Sequence, residues 1–419
     1  MTWLAGIILA ILLVYVLFGR RQVVGPALAV GMILLPLAAR VVIYGVDLDL
    51  FRVLLIVVGF RILLSGQFKE IQWGRADRFI LLWVLTSVVA KTILFGTMSA
   101  LINRVGFAID ILGTLLAFRF ALDDSERVDA VIRTFAWCSI PICLAMIAEQ
   151  LTGWNAFSWL GANWRIAVRE GGIRSQGPFS HPILAGTFGA ACFPFAVYLY
   201  ARGWKTLGVV TGLSMIAIAL LPRSSGPVIS LMAAVGLLLA WFWRRRMRAL
   251  VWGAIAMMIF LQLVMKAPIW ALMARAAVFG ASTAWHRYFL FDSFIRHWPN
   301  WVLVGSRSTS GWGGAYDHLF DITNMYVFVG VEGGGLALFA FLAVFWRLLR
   351  GLGQASEHWQ LPGSYSLWIF GAILGVHLVS FFGIAYFDQM LRILVAQWAL
   401  AGTLVIIGIE KSECATNSP

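Results

Sequence analysis

Residues 226–266 read GPVISLMAAVGLLLAWFW RRRMR ALVWGAIAMMIFLQLVMK, two apolar runs at 226–243 and 249–265 separated by Arg244-Arg245-Arg246 and Arg248. Each run is near the ~20 residues with which an α-helix crosses a hydrocarbon core. A backbone at that depth must satisfy its own hydrogen bonds, and a helix does so within one segment. The basic turn between the runs stays in water and, by the positive-inside rule, faces the cytoplasm.

Similar runs extend in both directions, at 2–18, 23–43, 48–65, 79–98, 101–118, 129–149, 182–200, 205–221, 323–345, 364–382 and 391–409. The composition agrees: 61% of the 419 residues are hydrophobic, 12% are charged, and mean hydropathy is +0.86. Soluble domains use roughly 45–50% apolar and 25% charged residues, so a soluble protein is excluded. The expected fold is all-α, a polytopic integral membrane protein with about 12–13 transmembrane helices and a large periplasmic loop containing interfacial helices. The expected regions are N-terminal helices over 1–128, central helices over 129–265 with an outer loop near 150–181, the large loop over 266–322, and C-terminal helices with a short cytoplasmic tail over 323–419.

Charge sets the orientation. Arg20 and Arg21, Lys69 with Arg75 and Arg78, Arg119 and Arg127, Arg202 and Lys205, Arg347 and Arg350, and Lys411 fall in alternate connections, which the charge rule assigns to the cytoplasm. The loops at 150–181 and 266–322 are then periplasmic. The first run, Thr2 to Phe18, lacks a basic segment before it and a small-residue cleavage site after it, so it reads as a retained span. The functional face is expected on the side opposite the cytoplasm, toward the periplasm or outside.

Other classes find little support. The net charge of +13 is scattered among spans instead of forming a solvated stripe, which disfavours nucleic acid and favours anionic lipid or a lipid-linked anion. Cys138, Cys143 and Cys192 lie inside apolar runs and Cys414 in the tail, so no disulfide framework is available. His286, His297 and His318 lack metal-ligand spacing, and no metal or other cofactor is expected.

The informative anomaly is the basic residues on the outer side: Arg165, Arg169, Arg174, Arg223, Lys266, Arg275, Arg287, Arg296 and Arg307. Solvation in long loops accounts for most of them equally well. Arg223 differs, because Pro222-Arg223-Ser224-Ser225-Gly226-Pro227 is a very short turn that holds the side chain at the membrane face. A guanidinium donates paired hydrogen bonds and keeps its charge, which suits a diphosphate. Arg174 to Pro182 precedes a span, with Pro182 placed as a helix-start residue and His181 as either a base or a cap.

Two carboxylate patterns have bland and sharp readings. Lys91 and Asp110 are equidistant from a turn near residue 100, so a hairpin would bring them to one depth as a structural ion pair, or more sharply as the proton relay of a transporter. Asp47-Leu48-Asp49 has the look of a cation-binding carboxylate pair, although a solvated turn is the simpler expectation.

The order of these features resembles the O-antigen ligase and O-antigen polymerase superfamily of bacterial surface-polysaccharide glycosyltransferases. The resemblance covers about residues 130–345 and rests on Glu149-Gln150-Leu151-Thr152-Gly153-Trp154-Asn155, Arg174 to Pro182, Leu221 to Gly226, Arg287, Ile295 to Pro299 with Val304-Gly305, Asp321 to Asn324, and Glu332 to Gly335. It implies a metal-independent, inverting GT-C type enzyme that transfers a saccharide from undecaprenyl pyrophosphate to a sugar hydroxyl of an acceptor glycan or glycolipid. Arg223, Arg287 and Arg174 would hold the diphosphate, and His181, Asn324 and Arg296 are candidate substrate contacts. The superfamily commonly has a histidine where Thr323 stands here, so Asp321, followed by His318, is the candidate base. That departure favours a polymerase over a ligase to lipid A core. Other polysaccharide-assembly proteins are candidate partners. The competing readings are a lipid or solute transporter or flippase, and a non-catalytic scaffold. Within the span at 323–345, Gly333-Gly334-Gly335 would admit another helix or a lipid chain, or serve simple helix packing.

Overall fold

The computed structural model describes residues 2–43, 46–163, 167–169, 171–275, 281–314, 317–358 and 363–416. Among them are α1 (Trp3–Phe18), α2 (Arg21–Leu34), α3 (Leu50–Ser65), α4 (Asp77–Phe95), α5 (Met98–Ala108), α6 (Thr114–Ala121), α7 (Ser125–Thr152), α8 (Pro182–Ala201), α9 (Lys205–Leu220), α10 (Ser225–Leu239), α11 (Met247–Val264), α12 (Ala281–Arg296), α13 (Trp298–Trp301), α14 (Met325–His358), α15 (Gly363–Ser380) and α16 (Asp388–Thr416). Two short antiparallel hairpins join them, β1 (Arg40–Ile43) with β2 (Val46–Asp49), and β3 (Ala167–Arg169) with β4 (Gly172–Arg174).

Every apolar run of the sequence contains one of these helices. Among the described residues, eight helical segments are long and apolar enough to cross a membrane, and the chain is an all-α, multi-pass membrane protein. One of the eight, Ser225–Val264, has 40 residues, about 60 Å at helical rise and twice a hydrocarbon core. A 3₁₀ turn over Ala240–Arg246 interrupts it at the basic cluster. Outward faces are as apolar as inward ones: α11 buries no side chain at all.

The run at 23–43 is only partly helical. Helix α2 stops at Leu34, and the chain continues through Pro36 into β1. An apolar stretch fixes burial without choosing between helix and strand, and Pro36 cannot donate the next helical hydrogen bond.

The main core draws on helices from α1 to α16. A second, small core belongs to the segment after Lys266: Leu290, Phe294, Trp301 and Leu319 bury against Val327 and Val331 of α14. This core is not closed within the segment but shared with α14. The junction depends on a break in α14 at Gly334, whose φ of 78° and ψ of −176° are not helical. The turn after α13 fills the break, with Gly335 N donating to Val302 O at 2.7 Å and Ser306 N to Val331 O at 2.9 Å. Gly333 meanwhile lies against Ser87 of α4, where a Cβ would come within 2.8 Å of the Ser87 hydroxyl. The glycine run therefore admits a neighbouring helix on one side and a loop backbone on the other.

Charges between helices are neutralised in clusters, and here the hairpin expectation fails. Lys91 bonds Glu332 at 2.6 Å, and Arg104 reaches the same carboxylate at 2.5 Å. Asp110 instead meets Arg52 (2.7 Å) and Arg392 (2.7 Å). Equal distance from a turn sets depth but not direction around the helix. A π-turn over Ile109–Gly113 further re-aims Asp110. Nor is Asp47-Leu48-Asp49 a solvated turn or a cation-binding pair. Asp49 is buried, caps α3 through Arg52 N (3.1 Å), and binds Arg392 at 2.8 and 2.6 Å, while Asp47 pairs with Arg40 at 2.9 Å.

Candidate functional site

The outer arginines gather where four connections meet: the β3–β4 hairpin, the α9–α10 turn, α12 and the loop between α15 and α16. Arg174, at the end of β4, donates from Nε to the Pro222 carbonyl at 3.0 Å. Gly172 on the same strand is open for Arg223, since a Cβ there would sit 2.2 Å from Arg223 Nη1. On the far side of the turn, Arg287 Nη2 lies 3.7 Å from a Cβ placed on Gly226, and its Cζ 3.8 Å from one placed on Gly383. One short turn is therefore flanked by Arg174, Arg223 and Arg287.

Local sequence explains the placement. Glu149 Oε2, fully buried at the end of α7, accepts from Gln176 N (3.1 Å) and Gly177 N (2.9 Å). Gln150 Nε2 donates to Ile173 O at 3.1 Å, and Asn155 Nδ2 to Gly177 O at 2.8 Å. The Glu149-to-Asn155 motif thus grips the chain on both sides of Arg174. Arg223 itself has a left-handed backbone, φ 48°, which for a side chain of this size costs on the order of 1–3 kcal/mol and persists only where the surroundings impose it.

The electrostatics are one-sided. Arg287 is 8% exposed, its Nε has no hydrogen-bond partner, and burial followed by the Arg169 charge pushes its pKa down to about 10. Burial and then Arg169 also lower Arg174, whose Nη2 is buried without a partner. Among the described residues no carboxylate comes within 4.0 Å of Arg174, Arg223 or Arg287. Arg223 is exposed and Arg174 half-buried, so the cost of a cation without counter-charge falls mainly on buried Arg287, and a bound anion would remove it.

His181 and Asp321 stand close to this cluster. His181 Nδ1 accepts from Ile183 N at 3.1 Å as the cap of α8, so the neutral ring carries its proton on Nε2. Its pKa lies below the ordinary 6.5, lowered by burial first and then by Arg174, with Asp321 pulling the other way. Asp321 is exposed, and its carbonyl accepts from His286 Nε2 at 2.8 Å.

Two expected contacts take other roles. Asn324 is completely buried and caps α14, Oδ1 accepting from Tyr326 N (2.9 Å) and Val327 N (3.2 Å). Arg296, with its side chain 68% exposed, pairs with Asp292 one turn earlier at 2.7 Å. Helical phase turns it away from the face that carries Arg287. The side chain of His318 lies outside the described residues, as does Arg165.

Sequence reasoning passed over Ser180 and Asp388. Ser180 Oγ donates to Asp388 Oδ2 at 2.7 Å, and Asp388 has a positive φ of 54° at the start of α16. An aspartate before an apolar run looks like any helix cap, so only the fold brings it beside His181. Arg169 was noted only as one of many outer arginines, and its influence on both Arg174 and Arg287 comes from the β3–β4 pairing. No protein-family model matches this sequence, and no curated protein matches it.

Proposed function

We propose that the chain is a glycosyltransferase of a bacterial inner membrane that moves a saccharide from undecaprenyl pyrophosphate to an acceptor sugar hydroxyl at the periplasmic face, as a polysaccharide polymerase. The supporting observation is the gathering of Arg174, Arg223 and Arg287 around one turn with no carboxylate among them. In the proposed reaction the acceptor oxygen attacks the anomeric carbon as the bond to the diphosphate oxygen breaks. The electron pair leaves with the diphosphate, and the hydroxyl proton passes to a base, for which Asp321 is the candidate. Negative charge grows on the leaving group, so prepositioned guanidiniums stabilise the transition state more than the ground state, each by roughly 2.7–4 kcal/mol for a well-aimed donor. A diphosphate bridging the arginines would also supply the missing partners of Arg287 Nε and Arg174 Nη2. Thr323 in place of histidine favours the polymerase over the ligase.

The test is polymer analysis in cells carrying Arg223→Ala or Arg287→Ala. High-molecular-weight polysaccharide should vanish and lipid-linked repeat units accumulate while the protein persists in the membrane. Arg223→Lys should keep only part of the activity, because a point charge replaces a two-pronged donor. Normal polymer yield and length in both alanine variants would rule the site out.

A further inference from the structure

At the opposite end of the bundle, a cavity of about 290 Å³ lies between the start of α4, the middle of α14 and the second half of α16. Arg75, Arg119, Arg347 and Arg350 line it, together with Gln354 and the rim residue Trp73. Arg119 forms the floor. Its side chain is 1% exposed, Nη2 bonds Asp77 at 2.8 Å, and Nη1 bonds Thr403 Oγ1 at 3.2 Å, while Nε has no partner. Gly402 makes this possible, because a Cβ there would sit 2.1 Å from Arg119 Nη2.

Charge at this cavity is not balanced. Asp77 is spoken for twice, by Arg119 and by Gly74 N at 2.7 Å. Among the described residues, Arg75, Arg347 and Arg350 have no carboxylate within 4.0 Å. Arg347 is held with its Cζ 5.5 Å over the Phe79 ring, which orders the guanidinium without neutralising it. Arg75 comes from the turn before α4, Arg119 from α6, and Arg347 and Arg350 from one face of α14, while Leu348, Val405 and Ile406 supply apolar wall.

We propose that this cavity binds a phosphate group, through forked hydrogen bonds from Arg75, Arg347 and Arg350 above the buried Arg119. The chemistry is shared by an anionic lipid headgroup of the adjacent leaflet and by free phosphate; the apolar walls and the Trp73 rim suit the headgroup. The site is separate from the outer arginines and does not depend on the transferase reading.

Thermal melting of the full chain in phosphatidylcholine nanodiscs separates these sources. One arm adds phosphatidylglycerol to the bilayer, and the other adds inorganic phosphate to the buffer. The wild-type midpoint should rise in the lipid arm, and the rise should be lost in Arg347→Ala/Arg350→Ala and in Arg347→Gln/Arg350→Gln. Among the described residues neither arginine makes an ion pair, so both variants should fold. Each guanidinium removed should weaken binding about tenfold. Arg245→Ala/Arg246→Ala, at the basic turn before α11, should keep the full rise. A rise produced by inorganic phosphate with the same variant dependence supports the site and assigns it to the free anion. No rise in wild type with either probe, a rise that survives in both double variants, or equal loss in the Arg245/Arg246 control overturns the proposal.

Discussion

Two kinds of charge cluster coexist in this protein. Between the helices, Asp49, Arg52, Asp110 and Arg392 form a closed set in which each carboxylate is shared by two guanidiniums, and Glu332 is held by Lys91 and Arg104. At the outer end, Arg174, Arg223 and Arg287 gather at one turn with no carboxylate in reach among the described residues. In the first arrangement every charge meets an opposite charge, which holds distant segments together. In the second no counter-charge is supplied by the described residues, and on the proposed reading a diphosphate supplies it.

The comparison is tested most severely at Arg392. Arg392→Ala removes one of the two cations on Asp49 and one of the two on Asp110, and breaking such a buried set costs about 3–5 kcal/mol. The variant should melt well below wild type in detergent; an unchanged midpoint would mean the network is not structural. Arg287→Ala should behave in the opposite way. It removes a buried cation that has no carboxylate, so the midpoint should hold or rise, within about 1 kcal/mol of wild type, although polymer synthesis stops. If Arg287→Ala instead unfolds the protein as Arg392→Ala does, the distinction between the two regions collapses.

Acidity sharpens the contrast on a smaller scale. His181 has a folded pKa below its ordinary 6.5 because burial and Arg174 disfavour its charged form. Its contribution to stability is therefore complete above 6.5 and is lost as pH falls from there through the lower folded value. Protonation would also remove the acceptor that caps α8. His181→Asn keeps a capping oxygen without the titration, so the fall of the melting midpoint over that range should flatten, by about 1 kcal/mol. The smallest effect should come from Arg296→Ala, which loses only an exposed one-turn ion pair worth roughly 0.3–0.5 kcal/mol, with polymer synthesis unchanged.

The helices were legible because apolar length is a one-dimensional signal: each run on which the expectation rested holds a helix. Pairing was not legible. Lys91 finds its partner 241 residues away at Glu332, and Asp110 finds Arg392 at a separation of 282. Spacing along one hairpin carries no information about either. At the site, Arg223 stood out because its turn is too short to hide a charge, and Arg174 and Arg287 gather with it. Arg296 did not follow, since position in the chain says nothing of helical phase. Ser180 and Asp388 were given no role because each is ordinary in its own neighbourhood, and Arg169 was one outer arginine among many.

The plugged break in α14 has an implication for how the sequence can drift. The two bonds that seat the plug, Gly335 N to Val302 O and Ser306 N to Val331 O, use main-chain atoms only, so the side chains at 302 and 306 can be exchanged while the seam stays closed. Gly305 and Gly334 have no such freedom, since a Cβ would strike Val331 O at 2.2 Å or Leu303 O at 2.6 Å. Variation along this seam should therefore be silent at its named side chains and lethal at its blank ones.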